Sequence, residues 1–529
     1  MAQDRSPAPD AARRRADTRH LLGASAVVTA LGLLTKLVGL GTQALVGALF
    51  GATRAMDAYR VVLNVPQLFA TWVRQPVRAA IIPLFTRIRR EQGEAAAWEA
   101  ASNIINCLAV GLVLLVGLLW AGSGLVARVM ASGFRDPAVW AEMSRHIQLI
   151  VVTIFFSVLG VVLGSLHNIY RRQHYPAFGR LANGLVVLAA LWLLGREYGF
   201  TGYIAGIVLG AAASFLIQLL LMAPHRRHYR LVLRPRAPEI RELLALALPL
   251  FIGLTGTRID VFLDQNFASW LPDGHLAALT FAAFLSAVAT DLLITVSSTV
   301  LLPHFADLVS QRRFSELRGR LAQSMGGYLL LLLPVAAFLV VGAFSVVELV
   351  YLRGAFTREK AELTAMLLPI LAFGAPAFSM GQVLAQVHIS GGDTKTPMAV
   401  GFWRVGFKAL FSVILLVILP LPLKIAGLAF ASTASSFFRT ALLWMRLPAD
   451  RRPAGGPLGR MIGALLLSSA AGGGAGWVTL GGLGGLGEGF VFSAFKVLVA
   501  SAVTFGVHLA LASLLSPPLR QTARRLLRR

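Results

Sequence analysis

Only one cysteine, Cys107, stands among the 529 residues, and it lies within an apolar run. That excludes a disulfide framework and any cysteine-based metal centre. Charge is scarce as well, at 14% of residues, and acidic side chains are scarcer still: 24 Asp and Glu against 49 Lys and Arg. No Walker-type GxxxxGKS/T loop is present, and no hydrophilic segment is long enough to hold a nucleotide-hydrolysing domain. His167, His174, His225, His228 and His304 are scattered without metal-ligand spacing. With no nucleophile in view, the sequence points away from an enzyme and calls for no cofactor. Any work it performs must draw on a coupling cation, the membrane potential or a substrate gradient.

What the chain has in abundance is apolar length. Hydrophobic residues make up 56% of it, and its mean hydropathy is +0.71. A soluble core cannot use that much apolar surface, whereas a bundle of spans of roughly 20 residues can. The pattern predicts about fourteen transmembrane helices: 21–50, 57–86, 97–120, 143–168, 176–194, 200–223, 239–271, 276–309, 321–351, 362–390, 396–420, 423–446, 459–479 and 490–515. A glycine-rich stretch, residues 472–489, interrupts the apolar pattern near the thirteenth.

The net charge of +25 would suit nucleic acid, but its placement argues for a membrane. Thirty Lys and Arg fall in the two tails and alternate loops, against eight in the remaining loops. By the positive-inside rule both termini are cytoplasmic. Residues 1–20 read as a basic cytoplasmic tail before a retained first span, with no small-residue cleavage signature. The basic loop from His225 to Arg241 divides an N-terminal lobe (21–236) from a C-terminal lobe (237–448). Residues 449–529 supply two further helices and a basic tail. Each lobe opens with a long helical pair whose second helix ends near a proline, Pro83 in "IIPLF" and Pro303 in "LLPHF".

Several charges fall inside the spans, where an isolated cation is costly. Lys36 lies in the first. Asp57, Arg60, Arg74 and Arg78 follow at intervals that place the three arginines on one side of the second helix. Such a stripe, with the Asp57 carboxylate on the same side at its outer end, suits an anionic lipid headgroup, since the guanidinium fork grips phosphate oxygens in pairs. Snorkelling to an interface is the other reading, particularly for Arg60 and Arg78. The seventh span carries Arg258, Asp260 and Asp264, spaced for local ion pairing or for holding a coupling cation. Asp291, in the eighth, stands among threonines and serines and fits either helix pairing or ion coupling. Arg404 and Lys408, near the inner half of the eleventh span, are expected to snorkel.

The motifs resemble those of the MurJ/MviN family of lipid II flippases, within the multidrug/oligosaccharidyl-lipid/polysaccharide exporter superfamily. The clearest stretch is "LRGAFTREKAELTAMLLPILAFGAPAFSMGQVLAQVHISGGDTKTP", residues 352–397. "ALFGATRAMDAYRVVLNVPQL", "NFASWLPDGHLAALTFA" and "SSTVLLPHFADLVS" resemble other family segments. The resemblance implies an all-α polytopic membrane protein with two six-helix lobes around a central cationic cavity, plus two C-terminal helices that extend a groove for a lipid tail. It implies alternating access, a lipid-linked anionic glycan as substrate, membrane lipids as surroundings, and peptidoglycan-synthesis or division proteins as partners. Thr35-Lys36, Thr42-Gln43, Gln75 and Phe281–Phe284 stand where the family carries other charged residues. Export of another polyprenyl-linked glycan, or a non-transporting scaffold, are the competing expectations.

Overall fold

The computed structural model describes residues 8–296, 301–485 and 490–515; for residues 8–26, 249–258, 289 and 291–296 the backbone alone is described. The helices are α1 Ala8–Phe50, α2 Arg54–Gln92, α3 Glu94–Ala121, α4 Ser123–Met130, α5 Pro137–Ile150, α6 Val152–Ile169 and α7 His174–Leu221. They continue as α8 Pro238–Ala268, α9 His275–Val296, α10 Leu302–Ser310, α11 Phe314–Val341, α12 Ala343–Tyr351 and α13 Arg358–Ser390. The last four are α14 Lys395–Ile418, α15 Lys424–Arg446, α16 Gly455–Gly482 and α17 Phe490–Leu515.

Among the described residues there is no strand, and ten helical stretches are long and apolar enough to cross a membrane. The chain is therefore an all-α, many-span membrane protein. The long α2 falls outside the ten: it carries Arg60, Arg74 and Arg78, and Pro66, Pro76 and Pro83 lie inside it. The spans expected at 176–194 and 200–223 are the two helical halves of α7, which meet in a sharp break at Gly199 (φ 56°, ψ −134°).

By internal contact the chain forms two units. Of the described residues, the first comprises those up to Val46, Val61–Val129 and Asp136–Thr255. The second comprises Gly47–Arg60, Met130–Arg135 and the described residues from Gly256 on. The first unit is centred on Ile81, Leu84 and Phe85 of α2, Trp98 and Ile104 of α3, and Leu166 of α6. Its basic loop is strapped along α3, where Asn103 and Asn106 donate to the carbonyls of Arg234, Arg230 and Val232. Three polar side chains in an apolar helix are thereby used up, because Ser102 accepts from the Arg230 amide as well.

The second unit is centred on Phe305, Leu321, Leu330, Val383, Leu384 and Leu443, with Leu465 of α16 and Ala512 of α17 joining the same core. The glycine-rich stretch has a packing reason. A Cβ on Gly472 would lie 2.5 Å from the Thr504 carbonyl oxygen, and one on Gly476 only 2.2 Å from the Thr504 hydroxyl. Small residues let α16 and α17 touch along their backbones. His508 of α17 then donates from Nε2 to the Leu330 carbonyl at 3.1 Å, with its Nδ1 2.9 Å from the Ser469 hydroxyl.

Each unit also contains the same clamp. In the first, buried His167 donates from Nε2 to the Gln218 carbonyl at 3.0 Å. In the second, buried His388 donates to the Leu443 carbonyl at 3.2 Å. Four residues after each histidine the backbone turns left-handed, at Arg171 (φ 59°) and Gly392 (φ 79°). The next amide reaches back to the histidine carbonyl in both cases, Arg172 at 2.8 Å and Asp393 at 3.0 Å. Helices α7 and α14 begin at the same offset, and Pro176 and Pro397 follow at the same offset again. In the second clamp burial would raise the Asp393 carboxyl, but hydrogen bonds from Thr396 and His388 outweigh it and hold that carboxyl below its usual range.

Replacing either clamp histidine by leucine removes a donor from a buried carbonyl, so each substitution is expected to destabilise the protein by roughly 1–3 kcal/mol. Thermal unfolding of the purified protein, read for His167→Leu and His388→Leu separately, checks this.

Candidate functional site

The second unit holds a buried ionic ladder. Asp260 and Asp264 lie one turn apart on α8, and Arg404 and Lys408 lie one turn apart on α14. Equal spacing on two packed helices lets the rungs match. Arg404 Nη2 donates to Asp260 Oδ2 at 2.8 Å. Lys408 Nζ sits 3.0 Å from Asp260 Oδ1 and 2.6 Å from Asp264 Oδ2. Side-chain exposure is 3% for Lys408, 13% for Arg404, 15% for Asp260 and 28% for Asp264.

One expectation changes here. Arg404 and Lys408 do not snorkel; both turn inward onto carboxylates. Asp260 and Asp264, expected to pair locally or to hold a coupling cation, face these two side chains of α14. Position along a span reports depth, and the partner lies 144 residues away in each rung, so the sequence alone could not join them. The matched spacing of two i,i+4 pairs, one acidic and one basic, was the available signal.

Next to the ladder, Arg439 of α15 donates to the Gln382 side chain at 2.6 Å and lies over the Phe378 ring at 5.6 Å. Both partners are neutral, so they orient this cation without cancelling it.

Asp57 has a different task from the headgroup contact expected of it. Its buried carboxylate accepts from the Gly274 and Ala277 amides, both at 2.6 Å, and so caps the start of α9. Around that cap the turns interlock. The Ala355 amide donates to the Ala48 carbonyl at 2.8 Å. Gly354 (φ 59°) leaves no room for a Cβ, which would stand 2.2 Å from the Ala48 oxygen. Three of the motifs that mark the family, "ALFGATRAMD", "LPDGHLAAL" and "LRGAF", therefore meet in one cluster of turns. Arg60, expected to line a headgroup site or to snorkel, is buried there with its guanidinium 4.6 Å from the centre of the Phe281 ring. Tyr351 and Phe356 flank that ring at 4.7 and 5.3 Å.

Of the remaining expected site residues, Lys36 and Arg78 are exposed and Arg74 is half-buried, all in the first unit. Arg74 donates to the Thr71 hydroxyl at 3.1 Å and the Gln67 side chain at 3.3 Å. The side chains of Arg258 and Asp291 lie outside the described residues. The second unit also has an apolar groove of about 570 Å³ between α11, α13, α15 and α16, lined by Leu329, Leu333, Phe373, Met380, Phe437 and Trp444 among others.

The sequence profile of the lipid II flippase MurJ family matches residues 46–497. The chain belongs to that family. A probable lipid II flippase MurJ from Synechocystis sp. is 24% identical over 525 residues, covering 94% of this chain and 95% of its own. One from Rhizobium meliloti is 26% identical over 438 residues, covering 80% and 79%. Among solved structures, a lipid II flippase MurJ in an inward closed conformation has a TM-score of 0.74 at 18% identity, covering 94% of this chain and 99% of that one. An inward-facing multidrug resistance transporter of the MATE family has a TM-score of 0.66 at 13% identity, covering 80% and 98%. MurJ-family proteins are transporters, which fits the lack of any catalytic constellation in the sequence.

Removing one partner of a buried pair strands the other, at a cost of about 3–5 kcal/mol. Asp260→Ala, which takes away the carboxylate facing Arg404, is expected to destabilise the protein by that order, Arg404→Ala by less because Lys408 Nζ still faces Asp260 Oδ1 at 3.0 Å, and the double variant by clearly less than their sum. A double-mutant cycle on unfolding midpoints measures the coupling.

Proposed function

We infer that this protein carries lipid II, a polyprenyl diphosphate bearing a disaccharide-pentapeptide, from the cytoplasmic to the periplasmic leaflet of the bacterial inner membrane. The family match over residues 46–497 carries the reading. Two features support it. The apolar groove of the second unit suits an isoprenoid tail. Cations within the membrane-spanning part, Lys36, Arg74, Arg78 and Arg258, suit a diphosphate.

Fourteen spans arranged as two six-helix lobes with two terminal helices, both chain ends cytoplasmic, is the topology we propose. Alternate loops rich in arginine favour it. Alternating access is the proposed mode of transport, since MATE transporters of similar fold occur in inward-facing and outward-facing conformations. The basic inner loops offer a surface for peptidoglycan-synthesis or division proteins.

One observation favours a second reading, export of another polyprenyl-linked glycan. Thr42-Gln43, Gln75 and Phe281–Phe284 are uncharged, so the headgroup contacts differ from those the resemblance implies.

Depletion of the protein in living cells separates the two. Lipid II is expected to accumulate in the cytoplasmic leaflet, shielded from a probe added outside. An unchanged lipid II distribution with loss of a different surface glycan selects the second reading.

A further inference from the structure

Two carboxylates one turn apart on a membrane-spanning helix form a place for a small cation, because carboxylate oxygens are the ligands that hard cations take. In this chain the place is filled from within. Lys408 Nζ bridges Asp260 Oδ1 and Asp264 Oδ2 at 3.0 and 2.6 Å. Arg404 takes the other oxygen of Asp260 at 2.8 Å. Three of the four carboxylate oxygens thus face tethered cations. The fourth, Asp264 Oδ1, is buried without a hydrogen-bond partner. Within the ladder two negative charges meet two positive ones, so no net charge remains to draw in a free ion. A tethered ammonium also competes at an effective concentration that is high and constant.

We propose that Lys408 is a built-in cation: its ammonium occupies the position between Asp260 and Asp264 that a free metal ion would otherwise take, and the second unit binds no metal cation there while the amine is present. Removing the amine bares Asp260 Oδ1 and both oxygens of Asp264, which together make a site for a small monovalent cation. The proposal concerns the carrier's own charges and holds whichever lipid is carried.

The test is thermal unfolding of the full-length purified protein in sodium chloride and in choline chloride at equal ionic strength. Binding to the folded state alone raises the midpoint with ligand concentration. The wild-type protein is expected to melt at the same temperature in both salts. Lys408→Ala is expected to melt lower in choline and to regain several degrees in sodium, saturably. Adding Asp264→Asn to that variant should abolish the sodium response. Lys408→Gln keeps most of the stem's packing, and the same sodium response is expected of it if the alanine variant does not fold. A saturable, sodium-specific rise in the wild-type protein overturns the proposal, and that measurement needs no variant. So does a folded Lys408 variant that is indifferent to sodium.

Discussion

A charge inside a bundle of membrane-spanning helices must be answered by another charge or by well-placed dipoles, and the second unit of this protein is organised by that requirement. Lys408 is almost wholly buried, so its ammonium has lost nearly all contact with water. Moving such an ion out of water costs several kcal/mol even after the surroundings relax. The carboxylates of Asp260 and Asp264 offset that cost only because α8 and α14 lie in register. The pairing thus constrains the helices as much as the helices position the pairing. A slip of one residue along either helix would turn a rung away and leave ions buried alone.

The same accounting explains where sequence reasoning succeeded and where it stopped. The run lengths and the alternation of basic loops are properties of single segments, so the many-span all-α character was open to inspection. Partners were not. Arg404 and Lys408 looked like interfacial cations because depth in a span is local information, while the acids that answer them lie far along the chain. Asp57 looked like a headgroup contact for a similar reason. A lone carboxylate at the outer end of a helix gives no sign that two amides at the start of α9 need it. Gly354 and Gly51 belonged to motifs that identified the family, but the reason for them is the touching of turns distant in sequence.

The paired histidine clamps carry a related lesson. A repeat between the halves was not visible at the residue level in the sequence, because "SLHNIYRRQHYP" and "QVHISGGDTKTP" share little beyond a histidine and a proline. What they share is geometry: a donor to a carbonyl on a later helix, a left-handed residue four positions on, and a new helix at the same offset. Arg171 adopts at some cost the backbone conformation that Gly392 adopts freely. Geometry of this kind survives when side chains diverge, because a buried carbonyl still needs its hydrogen bond and a helix still needs an exit.

Ladder and clamp together bear on how an anionic substrate can be held. A cation committed to a carboxylate has little field left for a diphosphate, since the two charges cancel beyond a few ångströms. Arg404 and Lys408 are so committed. Asp57 is likewise taken, by helix amides, whereas Arg60 lies over a neutral aromatic ring that does not cancel its charge. Arg439 is of that second kind: Gln382 and Phe378 fix its direction while leaving its positive charge in place. Membrane cations in this protein therefore divide into those that hold helices together and those whose charge still reaches outward. Only the second kind has anything to offer a phosphate, and counting basic residues in the spans overstates how many there are.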